Sequence, residues 1–221
     1  MSIKKLRSKA IVLLRSALRS IYARRLNRLP QLRQLLDSFA SSESAAVDTA
    51  DALAIYEAVI RTKPQCLLEL GPGTSSAVIA LAIAELQKTD PAYTPRFVAI
   101  EENEEWLSYH ESKFPATLRD KVEMIHRPTT AKELNGVKVA HYVDIPALPY
   151  DFIHIDGPDH LKYGSAIGSD LVDLSPTLAS DCYVIFDGRQ ASARFAIKHL
   201  ARAVARHHPF SLNFEMRLTH G

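Results

Sequence analysis

Apolar residues recur at Ile3, Leu6, Ala10, Leu13, Leu14, Ala17 and Ile21, in steps of three and four. That spacing predicts one helical stripe within residues 3–29. Pro30 interrupts it, a second short helix is expected from Gln31 to Phe39, and the polar stretch Ala40 to Ser44 reads as a linker. A further helix is expected over about Val47 to Arg61, closed by Pro64. From there the pattern changes to short apolar runs alternating with helical stretches. Strands are expected at 65–70, 96–100, 122–126, 151–155 and 182–186, with a last one near Phe210–Leu218. Helices are expected from Thr74 to about Gln87, around Trp106, near Ala166–Leu174, and from Ala191 to Arg206. The alternation predicts an α/β fold with a Rossmann-like, doubly wound, mostly parallel sheet and an N-terminal helical extension. Residues 1–42 form the extension and 43–221 the domain.

Four acids fall where predicted strands end: Glu69, Glu101, Asp156 and Asp187. In doubly wound sheets ligands bind beyond the carboxyl ends of the strands. After the first strand the chain reads Glu69-Leu70-Gly71-Pro72-Gly73-Thr74-Ser75-Ser76. Two glycines let the backbone turn sharply and pass close to a ligand. The helix that starts near Thr74 offers N–H groups to a carboxylate. Glu69 is expected to face the ligand, where it repels a pyrophosphate and attracts an ammonium and a sulfonium. That contrast favours S-adenosylmethionine over NAD. Glu101 is placed to accept hydrogen bonds from ribose hydroxyls, a device that nicotinamide-binding folds share.

Charge adds a second theme. The net charge is only +2, yet residues 1–36 carry ten Lys or Arg and no Asp or Glu. The rest of the chain is therefore net −8. A basic amphipathic arm on an acidic body suits an anionic partner, for which a membrane surface is the expectation. Packing on the arm's own domain or on a homodimer partner is the alternative. With Tyr22 as its one aromatic the arm is a poor nucleic-acid binder. Cys66 and Cys182 lie in apolar runs and read as buried thiols in a reducing cytoplasm. No apolar run is long enough to span a bilayer. The expected location is cytoplasmic, associated with the inner face of the membrane through the arm. An organellar origin stays open because the start also resembles a transit peptide.

A third cluster is His154-Ile155-Asp156-Gly157-Pro158-Asp159-His160. Methyl transfer from a sulfonium to a hydroxyl requires an aligned acceptor and a group that removes its proton. Asp156, His160 and Asp187 are the candidate catalytic residues. Asp156 and Asp187 could also give two oxygen ligands to a divalent cation such as Mg2+. His207, His208 and His220 have no matching ligand cluster and read as surface residues; Trp106, Tyr142 and Tyr163 could line a pocket, with core packing as the default reading.

Taken in order, Glu69-Leu-Gly71-Pro-Gly73, Ala99-Ile-Glu101, Tyr150-Asp-Phe-Ile-His-Ile-Asp156-Gly-Pro and Val184-Ile-Phe-Asp187 resemble successive motifs of class I S-adenosylmethionine-dependent methyltransferases. The resemblance covers roughly residues 47–218. It is closest to the branch of catechol and caffeoyl-CoA O-methyltransferases and related bacterial small-molecule or glycan enzymes. It implies that Glu69, Gly71, Gly73 and Ser75 hold the methionine moiety, beside Thr74 at the helix start, that Glu101 holds ribose, and that the stretch Arg127–Thr129 reaches adenine. Asp156 belongs to both the cofactor and the catalytic set. Metal-dependent members carry an Asp-Asn pair where this chain has Asp187-Gly188, a departure that weighs against a metal. The family sheet closes with a strand pair after the last helix, whereas this chain shows one clear strand. The last strand is therefore expected to be missing or the fold shortened. The implied function is methyl transfer to a hydroxyl of a small molecule, sugar or lipid-linked glycan. An NAD(P)-dependent oxidoreductase and an inactive S-adenosyl-binding scaffold are the alternatives.

Overall fold

The computed structural model describes residues 21–39, 47–200, 203–207 and 214–219. Most of the basic arm, and the linker, lie outside these residues. Helix α1 is described over 21–26. It is followed by α2 (Pro30–Phe39), α3 (Thr49–Thr62), β1 (Cys66–Leu70), α4 (Thr74–Thr89), β2 (Arg96–Glu101), α5 (Glu104–Lys113) and β3 (Glu123–His126). Then come β4 (Thr129–Leu134), β5 (Val137–Tyr142), β6 (Phe152–Ile155), α6 (Asp170–Leu174), β7 (Asp181–Phe186), α7 (Gln190–His199), β8 (Ala203–His207) and β9 (Phe214–Thr219).

Seven strands form one sheet in the order β3-β2-β1-β6-β7-β9-β8. The first five run parallel, and β9 is antiparallel to both β7 and β8. Every residue of β1 is buried, as a central parallel strand covered on both faces requires. The two faces carry separate cores. Leu67, Ala99, Phe152 and Ile185 face α2, α3 and α4. Leu68, Leu70, Val98, Ile153, Val184 and Phe186 face α6 and α7. Each fully buried Leu, Ile or Phe adds about 1.5–3 kcal/mol of transfer free energy, so the two layers together fix the strand ends that hold the site.

Two expectations change here. The last helix stops at His199, and residues 203–207 form β8, which pairs with β9 at the sheet edge. The strand pair expected to be incomplete is present, because edge pairing overrides the helical pattern of 203–206. The loop after β3 contains an unexpected hairpin, β4–β5, turning at Asn135 and Gly136 with φ of 53° and 75°. The second helix of the extension is packed rather than free. Leu32, Leu35 and Phe39 of α2 are buried, Tyr22, Leu26 and Leu29 pack against the same core, and Arg25 pairs with Glu57 of α3. The stripe over residues 1–20 lies outside the described residues, as do His208 and His220. Among the described residues no helix is long and apolar enough to cross a membrane.

Candidate functional site

A cavity of ≈ 490 Å3 opens at the carboxyl ends of β1, β2, β6 and β7. Its size lies in the usual range of about 300–1,000 Å3 for small-molecule sites. The turn Gly71-Pro72-Gly73 and the first residues of α4, Thr74 and Ser75, form one wall. Glu101 and Glu102 form the second, and Asp156, Gly157, Asp159, Asp187 and Arg189 the third. Asp48 and Asp51, at the start of α3, with Trp106 and Tyr142, close the rest. Among the described residues the lining thus holds seven carboxylates (Asp48, Asp51, Glu101, Glu102, Asp156, Asp159 and Asp187) against the single cation Arg189. Such a field favours a cationic ligand over a pyrophosphate.

The turn is built by close approach. Gly71 has φ +85°, and a Cβ there would lie 2.8 Å from the Gly157 nitrogen. A Cβ on Gly157 would in turn strike the Tyr142 hydroxyl. Only glycine fits both positions, so the β1 and β6 loops are pressed together. Glu101, at the end of β2, accepts the Asn103 N–H through Oε1 at 2.8 Å. Burial pushes its carboxyl upward, partly opposed by backbone hydrogen bonds from Asn103 and Glu102. It lines the cavity and fits the role of acceptor for hydroxyl donors.

Glu69 is placed differently from the expectation. Its period-two partner Leu67 faces α4, and Glu69, one residue short of the strand end, does the same. The carboxylate is fully buried beneath the turn, is absent from the cavity lining, and accepts from Ser76 Oγ and from His154 Nδ1, the latter at 3.0 Å. The negative charge that faces the cavity belongs instead to the acids of the lining.

Asp156 and Asp187 stand just beyond the ends of the neighbouring strands β6 and β7 and both line the cavity. Partial withdrawal from water pushes the Asp156 carboxyl up to about 6; His154 and Arg189 oppose this, and Asp187 adds to it. Its side chain is 48% exposed, at the mouth of the cavity. His154 feels opposing influences. Burial lowers its pKa, but the hydrogen bond to Glu69 and the carboxylates of Glu69, Asp156 and Asp187 outweigh this, so it lies above its ordinary range.

Thr129 opens β4 and does not line the cavity; its hydroxyl donates to the Glu102 carboxylate. His160 opens a short 3-10 turn, His160–Tyr163, and its side chain lies outside the described ones. Arg189 escapes notice in the sequence. Its guanidinium donates to the Asp156 carbonyl and, at 2.7 Å, to the Pro158 carbonyl, and lies 3.6 Å from Asp156 Oδ1. A divalent cation does not fit this arrangement. The neighbouring Gly188 has no ligand atom in its side chain, a guanidinium already stands against Asp156, and among the described residues no three His, Cys, Asp or Glu are grouped to hold a metal. Glu102, also missed, accepts from the Asp159 N–H at 2.5 Å and from Lys162 at 3.3 Å, tying the 159–163 segment to the end of β2.

The family of methyltransferase domains matches residues 68–188, more than half of the chain. No curated protein matches. Solved structures do match at the level of fold. An O-methyltransferase from Bacillus cereus in complex with SAH superposes with a TM-score of 0.57 at 18% identity, over 86% of this chain and 90% of that one. A protein from Staphylococcus aureus provisionally named a caffeoyl-CoA O-methyltransferase gives 0.59 at 15% identity, over 94% and 100%. The O-methyltransferase TomG from Streptomyces achromogenes, involved in tomaymycin synthesis and in complex with SAM, gives 0.51 at 17% identity, over 86% and 89%.

Proposed function

The chain belongs to the methyltransferase-domain family, and on that premise we propose that it binds S-adenosylmethionine in the β1–β2–β6–β7 cavity and methylates a hydroxyl oxygen. The observation that carries the reading is the meeting of the Gly71–Ser75 turn, Glu101 and the Asp156/Asp187 pair around one acidic cavity. The B. cereus and S. achromogenes proteins, solved with SAH and SAM, support the choice of ligand.

When bound, the cofactor supplies an electrophilic methyl group on a sulfonium. The chain's own residues do the rest. Gly71, Gly73, Thr74 and Ser75 cradle the methionine end, and the carboxylates of the wall offset its ammonium and sulfonium charges. Glu101 accepts from the ribose hydroxyls. Asp156, with a pKa of about 6, is mostly ionised near neutral pH and would take the acceptor hydroxyl's proton when the methyl group is transferred. Asp187 stands beside it, and His160 remains the second candidate base. Arg189 holds the Asp156 backbone and lowers the cost of its charge. No step uses a metal.

The acceptor class is a small molecule, sugar or lipid-linked glycan. The six Lys or Arg of residues 1–20 keep the anionic membrane surface as the proposed partner of the arm; equal liposome flotation with and without residues 1–20 would remove it. Isothermal titration with S-adenosylhomocysteine and with NAD+ tests the main reading. Binding of NAD+ without the S-adenosyl ligand overturns it. Tight S-adenosyl binding without turnover on any acceptor panel would mark a scaffold instead.

A further inference from the structure

We propose that His154 is a positioning residue for the cofactor turn, acting through Glu69 and Ser76. The inference rests on the S-adenosyl reading of the cavity. Four groups form one chain. The Gly73 N–H donates to Ser76 Oγ at 3.2 Å, Ser76 Oγ donates to one oxygen of Glu69, and the other oxygen of Glu69 meets His154 Nδ1 at 3.0 Å. Glu69, Ser76 and His154 are all fully buried, and Glu69 and His154 sit side by side in the β1–β6 register.

Core packing alone does not ask for these residues. Leu67, Phe152 and Ile185 occupy the same face of the sheet, so an aliphatic pair would fill the layer without the cost of burying a carboxylate and an imidazole. What the polar pair adds is direction. A hydroxyl has one proton. Because Ser76 commits it to Glu69, the oxygen presents lone pairs to the Gly73 N–H, which fixes the peptide at the centre of the turn. His154, donating from Nδ1, holds Glu69 in the one orientation that reaches Ser76. None of the three side chains lines the cavity; their effect on the ligand passes through the Gly73 backbone. His110, on α5, is also fully buried, stands edge-on to Phe114 and takes no part in the chain.

The test is titration of S-adenosylhomocysteine into the full chain and five variants. His154→Phe keeps a ring but removes the donor. His154→Asn places an amide nitrogen near the position of Nδ1. Ser76→Ala breaks the other end, and the His154→Phe/Ser76→Ala double variant closes a cycle. Ile185→Ala loosens the same layer beside His154 without touching the chain of bonds. We expect His154→Phe and Ser76→Ala each to weaken binding about tenfold or more, the double variant to be little worse than either, and His154→Asn and Ile185→Ala to stay within about threefold of the wild type. Binding by His154→Phe within threefold of the wild type overturns the proposal, as does an equal loss in Ile185→Ala, which would tie affinity to stability rather than to the bonds. Should His154→Phe not fold, unchanged binding by Ser76→Ala overturns it alone. Absence of binding by the wild type removes the S-adenosyl reading itself, whereas wild-type binding with a silent His154→Phe removes this inference only.

Discussion

Replacing the two turn glycines separately by alanine distinguishes a cradle from an ordinary loop. At Gly71 the φ of +85° is a conformation that alanine adopts at a cost of about 1–2 kcal/mol. Its Cβ would also sit 2.8 Å from Gly157 N and 3.0 Å from the Asp156 carbonyl carbon, so the β6 loop must shift. Together these cost about 2–3 kcal/mol, and at 2–4 °C per kcal/mol for a chain of this size the melting temperature should fall by roughly 4–12 °C. At Gly73 the backbone is extended, with φ −161°, and a Cβ meets nothing nearer than Ser75 Oγ at 4.0 Å. Gly73→Ala should therefore keep its stability to within about 0.5 kcal/mol. Yet Gly73 lines the cavity, and its added methyl group would take space meant for the ligand. Differential scanning calorimetry and titration with S-adenosylhomocysteine read the two effects separately. Gly71→Ala should lose both stability and affinity, and Gly73→Ala affinity alone, by about tenfold or more. A Gly73→Ala variant that binds as well as the wild type would refute the cradle.

Glu101→Gln should weaken S-adenosylhomocysteine about ten- to hundredfold, the worth of one or two charged hydrogen bonds, with little change in melting temperature; unchanged affinity would remove Glu101 from the ribose site. With Asp156 as base, turnover on a working acceptor should fall below pH about 6, and Asp156→Asn should abolish both the activity and that acid limb. Asp170 is a structural counterpart. Burial pushes it up to about 7, while its Oδ1 accepts the Tyr142 N–H at 2.7 Å and Oδ2 has no partner among the described residues. A raised acid holds its proton longer folded than unfolded, so this group's contribution is fully present below pH about 4 and is lost as pH rises to about 7, at up to about 1.4 kcal/mol per pH unit. Asp170→Asn should flatten that decline in thermal melts taken from pH 4 to 8, and an unchanged slope would refute the assignment. Because Arg189 stands against Asp156, the wild type should bind no Mn2+ at submillimolar concentration by paramagnetic titration; saturable binding would contradict the metal-free site.

The strand ends were readable because each is an apolar run closed by an acid, and Glu101, Asp156 and Asp187 all reach the cavity that this pattern implies. The direction of Glu69 follows from strand periodicity with Leu67, but the acid-then-glycine pattern draws attention to the turn instead. The β4–β5 hairpin carries its own signal, an Asn135-Gly136 turn between alternating residues. Position 189 gives no such sign, since an arginine after a loop glycine is common and its reach to Pro158 depends on how the β6 and β7 loops lie. Pairing of His154 with Ser76 through Glu69 was hidden for the same reason, as it exists only in the register that sets β1 beside β6. Helix α7 ends earlier than the pattern predicts because residues 203–206, which satisfy a helical pattern locally, are claimed by β9 from across the edge of the sheet.

A crystal structure with S-adenosylhomocysteine decides whether the acidic cavity at the ends of β1, β2, β6 and β7 holds an S-adenosyl ligand. The ribose hydroxyls are expected within hydrogen-bonding distance of Glu101, the amino-acid tail against Gly71–Ser75, and the sulfur facing Asp156 and Asp187. A ligand bound elsewhere, or in this cavity with its ribose away from Glu101, would contradict it.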